Sequence, residues 1–64
     1  MIVNGIEMKF DTNITVIELL QKLEIDKDKV VIEINLEIIP KENYSNRIIN
    51  DDDKIEIVGF VGGG

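Results

Sequence analysis

The sequence predicts a small α+β domain in which one helix packs across a mixed sheet. Three observations support this prediction: a hairpin signal near the start, one amphipathic helix with a capping box, and later runs rich in β-branched residues. The chain has 64 residues, 44% of them hydrophobic, which predicts one domain near the lower size limit for independent folding. Because the chain has no cysteine, no disulfide supports the fold and the core must be dense.

The first element is a predicted β-hairpin. Asn4-Gly5 lies between two apolar runs, and Asn-Gly readily supplies the two positive φ values of a type I′ turn. In the second arm Ile6, Met8 and Phe10 alternate with charged residues, which is the period of a strand with one buried face.

A helix is predicted next, from about Thr15 to Leu23. Thr15 and Glu18 have the spacing of a capping box, in which each side chain accepts a hydrogen bond from the backbone of the other residue. Ile14, just before the cap, is placed to contact Leu19 as a hydrophobic staple. The apolar stripe expected to face the sheet consists of Val16, Leu19, Leu20 and Leu23.

Two strands should follow the helix. The β-branched run Val30–Ile34 predicts a strand with Val30, Ile32 and Ile34 facing inward. Glu37–Ile39 predicts a short strand that ends at Pro40, whose missing N–H suits a sheet edge.

The final third of the chain predicts an irregular crossover over residues 41–50, then a turn and a last strand. Asp51-Asp52-Asp53 is interpreted as a charged turn and not as a metal site, because adjacent carboxylates seldom converge on one cation. In the last strand Ile55 and Ile57 should face the core, whereas Val58 and Phe60 have the opposite parity.

Composition argues against several functions. The chain has no Cys and no His, and its only Ser is Ser45, so the usual nucleophile–base pairs and zinc sites cannot form and we expect no enzyme. A net charge of −6 without a basic cluster argues against nucleic-acid binding and favours protein partners with basic surfaces. No apolar run approaches the roughly 20 residues that span a bilayer, and no secretory signal precedes the domain. We therefore expect a cytoplasmic protein that binds no membrane.

The last residues, Gly62-Gly63-Gly64, directly follow the hydrophobic final strand. Three residues without a Cβ form a thin, pliable tail, and its terminal α-carboxylate is a candidate reactive group. Fully extended, the tail would span about 10 Å, enough to carry that carboxylate into a partner's cleft. We expect a domain over residues 1–61 and a flexible tail over residues 62–64, although such glycines are also typical of an inert, frayed end.

The order of elements together with the glycine end resembles the ubiquitin-like β-grasp fold. Within that fold it resembles the ThiS family, the sulfur carrier proteins of thiamine biosynthesis, over essentially the whole chain. Two turns depart from the family pattern, because Asn35-Leu36 and Asp51-Asp52-Asp53 each lack a turn glycine. The resembling stretches are Val3–Gly5, Thr15–Leu20, Val30–Asn35, Ile39–Lys41 with Tyr44, Ile55–Val58 and Phe60–Gly64.

The resemblance implies a carrier that binds no cofactor itself. An E1-like adenylating enzyme would use ATP and Mg²⁺ to activate the Gly64 carboxylate, and a sulfur donor such as a cysteine desulfurase would complete the thiocarboxylate. The sulfur would pass to a thiazole synthase. Gly62 and Gly63 would thread the tail into the partner. The expected partner surface consists of Val58, Phe60 and Val61. For Phe60, packing within the domain fits the sequence equally well.

Two other functional classes fit the same sequence. One is a sulfur-donating small subunit like that of molybdopterin synthase, whose members are typically longer. The other is a ubiquitin-like modifier, or an interaction module whose tail is inert. Modification of the tail, conjugation to other proteins or stable association with one subunit would distinguish the three classes.

Overall fold

The protein is described by a computed structural model over residues 1–10 and 13–59. Within these ranges a five-stranded mixed sheet and a two-stranded sheet surround one α-helix, which confirms the predicted α+β architecture. The elements are β1 (Ile2–Val3), β2 (Ile6–Glu7), β3 (Ile14–Thr15), α1 (Val16–Lys22), β4 (Val30–Ile34), β5 (Glu37–Ile39), β6 (Ile48–Ile49) and β7 (Lys54–Gly59), with short 3₁₀ turns at Lys27–Lys29 and Lys41–Asn43.

The large sheet has the strand order β2-β1-β7-β4-β5, and only the β1–β7 pair is parallel. The last strand therefore lies at the centre of the sheet, and β5 forms one edge as the sequence predicts. Among the described residues, the core consists of Met1, Val3, Ile14, Val16, Leu19, Leu20, Val30, Ile32, Ile34, Ile39, Tyr44, Ile49 and Ile55. The described helices are too short and too polar to cross a membrane.

The first hairpin turns at Asn4 and Gly5, whose φ values of 50° and 82° confirm the predicted turn geometry. The second arm is shorter than predicted, because β2 ends at Glu7. Ile6, expected to be buried, is 62% exposed: it lies opposite Val3 on the edge strand, where no further strand extends the sheet over it. Met8 and Phe10 are half-buried against the core.

The helix begins as predicted. The Glu18 amide donates to Thr15 Oγ1 at 3.2 Å, and the Thr15 amide donates to Glu18 Oε1 at 2.9 Å, so the capping box is complete. Leu23 is half-buried at the end of the helix, instead of fully buried as its position in the stripe suggested. The chain leaves the helix through Glu24 at a φ of 57°.

The strand β4 has the predicted bounds, and Val30, Ile32 and Ile34 are buried. The predicted crossover is more ordered than the sequence suggests, because β6 pairs with β3 in the small sheet. The crossover also provides hydrogen-bond acceptors for the first backbone amides of the helix. The amides of Val16 and Ile17 donate to carbonyls of the crossover at 3.0 and 2.9 Å. Two-residue strands contain too few residues to show a period, so no sequence pattern indicates this pairing.

Candidate functional site

The central strand β7 ends at Gly59 and is the described element nearest in sequence to the three glycines. Ile55 lies opposite Val3 on one side and Ile34 on the other, and all three are buried under the helix. Residues of the opposite parity, including Val58, face away from the helix. Val58 is 52% exposed, as its predicted role in a partner surface requires.

Val58 belongs to an exposed apolar group on the outer face of the sheet. Val31 is its register partner on β4, and Ile38 on β5 lies diagonal to Val31 on the same face. All three side chains are exposed, and we call Val31, Ile38 and Val58 the outer patch. Glu33 and Glu56 face each other within the same face, so the patch carries acidic groups at its border.

The sequence identified Val58 but not Val31 or Ile38. Strand parity alone places Val31 on the outer face of β4, but grouping it with Val58 requires the register between two strands that are distant in sequence. The other predicted site residues, Phe60, Val61, Gly62, Gly63 and Gly64, lie outside the described residues. Their roles remain predictions.

The start of β7 is fixed by Asn35, in the turn between β4 and β5. Its Nδ2 donates to Asp53 Oδ1 at 2.9 Å, and its Oδ1 accepts from the Lys54 amide at 3.0 Å. Asp53 is only 6% exposed and also accepts from the Asn50 amide at 2.8 Å, with the Arg47 guanidinium 3.8 Å away. A buried carboxylate needs such partners.

These contacts correct the interpretation of residues 51–53. Asp51 and Asp52 are exposed in a turn as expected, but Asp53 is a buried hydrogen-bond acceptor that joins two loops. Arg47 is half-buried near Asp53, whereas Lys41 forms an exposed 2.8 Å ion pair with Asp28. Within residues 1–10 and 13–59 no group of three acidic side chains is placed to hold a metal ion.

The far end of β7 is held by Asn4, in the turn between β1 and β2. Its carboxamide bonds both backbone groups of Ile57, accepting from the amide at 2.7 Å and donating to the carbonyl at 3.2 Å. Two residues further on, Gly59 ends the strand opposite Val30. A Cβ added at Gly59 would meet no atom within 4 Å, so the packing of the described residues does not require glycine there.

Among the described residues, three titratable groups have shifted pKa values with clear local causes. Hydrogen bonds from the Thr15 backbone and side chain lower the pKa of Glu18. The hydrogen bond from Lys41 lowers the pKa of Asp28, and the same contact raises the pKa of Lys41. Across the described ranges no ligand-sized cavity opens. The described features of the candidate site are therefore a surface patch and a central strand anchored by two asparagines.

Comparisons with known proteins agree with this architecture. The ThiS family model matches residues 1–64. The sulfur carrier protein ThiS of Bacillus subtilis is 44% identical over 63 residues, covering 95% of this chain and 94% of that protein. A crystal structure of the thiamine biosynthesis protein ThiS from Geobacter metallireducens superposes with a TM-score of 0.83 at 32% identity, covering 98% of this chain and 96% of that one.

A thiazole synthase from Paramagnetospirillum magneticum contains a region that is 48% identical to this chain over 64 residues. The match covers 100% of this chain but only 20% of that relative, so the chain corresponds to about a fifth of that protein.

The fold and these matches define the class as small β-grasp proteins of the sulfur-carrier type. The chain belongs to the ThiS family, the sulfur carriers of thiamine biosynthesis. The family and the β-grasp fold expected from the sequence are thereby confirmed.

Proposed function

We propose that this chain carries sulfur as a thiocarboxylate on Gly64 and delivers it, in the cytoplasm, to a thiazole synthase. The observation that supports this most strongly is the match to the ThiS family over residues 1–64, which includes the three glycines. The proposal requires a free carboxyl group at Gly64, and intact-mass measurement of the protein from its own cells tests that requirement.

The proposed chemistry begins on a partner, an E1-like adenylating enzyme. A carboxylate is a poor electrophile because it has no good leaving group. In the proposal, a Gly64 carboxylate oxygen attacks the α-phosphorus of ATP, pyrophosphate leaves, and Mg²⁺ on the enzyme neutralises the phosphate charge. The terminal sulfur of a persulfide, held by a donor such as a cysteine desulfurase, then attacks the acyl carbon, and the bond to AMP breaks. A thiol reductant cleaves the S–S bond of the resulting acyl disulfide, so the donor leaves as a disulfide with that thiol and the thiocarboxylate remains on the carrier.

In this scheme the chain itself supplies the acyl group and the surface that presents it, and binds no cofactor. Gly62 and Gly63 allow the backbone to enter a cleft too narrow for side chains. Ordering three backbone units costs roughly 3–6 kcal/mol, so much of the affinity has to come from the folded domain.

The outer patch is the surface proposed to supply that affinity. It is apolar, lies on β7, β4 and the edge strand β5, and includes Val58 one residue before the described strand ends. The acidic residues Glu33 and Glu56 beside it favour a partner with basic groups around an apolar contact. Phe60 and Val61 are proposed to extend this surface.

Matched threonine substitutions test the patch, because threonine keeps the branched shape that strands favour while adding a hydroxyl. The double variant Val31→Thr/Val58→Thr should bind the adenylating enzyme about tenfold more weakly, equivalent to roughly 1.4 kcal/mol. Ile48→Thr is the control, since Ile48 is 48% exposed but lies on β6, outside the large sheet. Equal affinities of the double variant and the control, measured by titration calorimetry, would remove the patch from the interface.

The sulfur acceptor is tested separately. The names of the matched relatives favour a thiazole synthase over a molybdopterin-type acceptor. Carrier loaded with sulfur should lose it when thiazole synthase and its other substrates are added, and should keep it with the large subunit of a molybdopterin synthase. Sulfur transfer to the molybdopterin synthase subunit but not to thiazole synthase would show that the proposed acceptor is wrong.

A further inference from the structure

The parallel pairing between β1 and β7 is very short. Its last register pair is Val3 with Ile55, and the Asn4 amide donates to the Ile55 carbonyl at 2.9 Å. The chain then turns at Asn4-Gly5, so β1 no longer runs beside β7. Because backbone groups alternate in direction along a strand, the amide and carbonyl of Ile57 point to the same side as those of Ile55, where β1 has already ended.

The Asn4 side chain takes the place of the missing strand. Its Oδ1 accepts from the Ile57 amide at 2.7 Å, and its Nδ2 donates to the Ile57 carbonyl at 3.2 Å. One carboxamide thus makes both bonds that a neighbouring strand would make. The two residues are 53 positions apart in sequence, so this contact ties the first turn to the strand that leads into the tail.

The opposite side of β7 is paired for longer. Its register with β4 runs through Val31–Val58 to Val30–Gly59. On the β1 side the last contact within the described residues is the one at Ile57, two residues before the strand ends. Loss of the Asn4 contact should therefore loosen one side of the strand end while leaving the β4 pairing and the outer patch in place.

We infer that Asn4 is a positioning residue for sulfur loading, which holds the end of β7 so that the outer patch and Gly59, the last described residue before the tail, keep a fixed relation. The inference rests on the proposed function, in which docking and tail insertion occur on one partner. With the strand end fixed, docking through the patch also sets the point on the partner from which residues 60–64 have to reach the reacting group. With it loosened, docking is unchanged but the Gly64 carboxylate samples more positions before it reaches the reacting geometry.

Two variants separate this role from the turn. Asn4 has a φ of 50°, so alanine would strain the backbone as well as remove the contact. Asn4→Gly keeps the left-handed conformation and removes both bonds. Asn4→Asp also tolerates that conformation and keeps an oxygen for the Ile57 amide, but it loses the donor to the Ile57 carbonyl.

Amide hydrogen exchange followed by NMR tests the contact without reference to function. In Asn4→Gly the Ile57 amide should exchange about tenfold faster or more, because it has lost the hydrogen bond that has to break before exchange in the wild-type protein. The amides of Glu33 and Glu56, in the β4–β7 pairing, are the internal control and should exchange at the wild-type rate. Asn4→Asp should give an intermediate rate at Ile57.

Steady-state loading then tests positioning, with the cognate adenylating enzyme, ATP, Mg²⁺ and sulfide. For Asn4→Gly the kcat for thiocarboxylate formation should fall about tenfold with KM within about twofold of wild type, since misplacement of a reacting group lowers rate more than docking. A merely structural loss would lower the folded fraction of the carrier, which raises the apparent KM and leaves kcat unchanged. Asn4→Asp should restore part of kcat.

Unchanged exchange at Ile57 in Asn4→Gly would overturn the inference. Faster exchange with an unchanged kcat would also overturn it, while leaving the proposed function intact. If wild-type protein forms no thiocarboxylate under these conditions, the proposed function fails and the positioning role falls with it, whatever the exchange rates show about the contact. Faster exchange at Ile57 together with a lower kcat at an unchanged KM supports the inference.

Discussion

Two turns with similar backbone conformations hold the last strand, but their second residues differ. Asn4-Gly5 joins β1 to β2 with φ values of 50° and 82°, and Asn35-Leu36 joins β4 to β5 with φ values of 53° and 70°. In each turn the asparagine carboxamide bonds the backbone of β7, from opposite sides of the strand. Asn35 acts at the start of β7, next to Asp53, and Asn4 acts near its end.

The difference between the turns shows what each position requires. The first position needs a residue that tolerates positive φ and also bonds β7, and asparagine does both. The second position needs only positive φ, which glycine adopts freely. Leu36 is 92% exposed, so no packing offsets the roughly 1–2 kcal/mol that the left-handed conformation costs a residue with a Cβ. The second turn thus contains a strain that the first one lacks.

The largest expected effect separates the two asparagines. Asn35→Gly should lower the free energy of unfolding by about 2–3 kcal/mol, because it removes a hydrogen bond to the buried Asp53 carboxylate. Asn4→Gly should cost about 1 kcal/mol or less, since its bonds to Ile57 are exposed. Urea unfolding of both variants measures these free energies. Equal costs would mean that burial of Asp53 does not distinguish the turns.

The next effect has the opposite sign. Leu36→Gly should raise the free energy of unfolding by about 1 kcal/mol, because it removes the cost of a Cβ in the left-handed region. Leu36→Ala is the matched control, since it removes the exposed side chain but keeps the Cβ. In urea unfolding the alanine variant should remain close to wild type. A similar gain from both variants would assign the effect to the exposed leucine side chain instead of the backbone.

The reciprocal change in the first turn should be destabilising. Gly5→Ala should cost about 1 kcal/mol, measured by the shift of the urea midpoint at constant m-value. A Cβ at Gly5 meets no atom within 4 Å, so the loss arises from the backbone conformation alone. A stability equal to wild type would show that the φ of 82° carries no cost for alanine in this turn.

The smallest effect concerns a contact outside both turns. The folded state lowers the pKa of Glu18, so the capping box contributes stability above the unfolded pKa and loses it as pH falls through the folded pKa. The Tm advantage of wild type over Glu18→Gln should therefore shrink on acidification. Leu36→Gly should keep a constant offset from wild type over the same range. A wild-type advantage that grows on acidification would contradict the assigned direction.

The sequence predicted those parts of the fold that depend on local signals. The capping box, the Asn4-Gly5 turn and the bounds of β4 each follow from a few neighbouring residues, and all were confirmed. The pairing of β3 with β6, the burial of Asp53 and the bond from Asn4 to Ile57 join residues distant in sequence, and a single sequence contains no register. The left-handed Glu24 was also missed, because glutamate is not typical of that position.

The candidate site divides in the same way. Strand parity correctly placed Val58 on an exposed face, but grouping it with Val31 and Ile38 required the sheet register. The roles of Phe60, Val61 and the three glycines follow from the sequence pattern and the family resemblance, and they remain predictions.

The central claim is that the Gly64 carboxyl group accepts and carries sulfur. Wild-type protein, incubated with the adenylating enzyme, ATP, Mg²⁺ and sulfide, should gain in intact mass the difference between one sulfur and one oxygen atom. A variant with one alanine added after Gly64 should not gain this mass. The added residue places a Cβ next to the terminal carboxyl carbon and shifts the position of the tail in the partner's cleft. Deletion of Gly64 should also impair loading by shortening the tail. Loading of both variants at the wild-type rate would contradict the account.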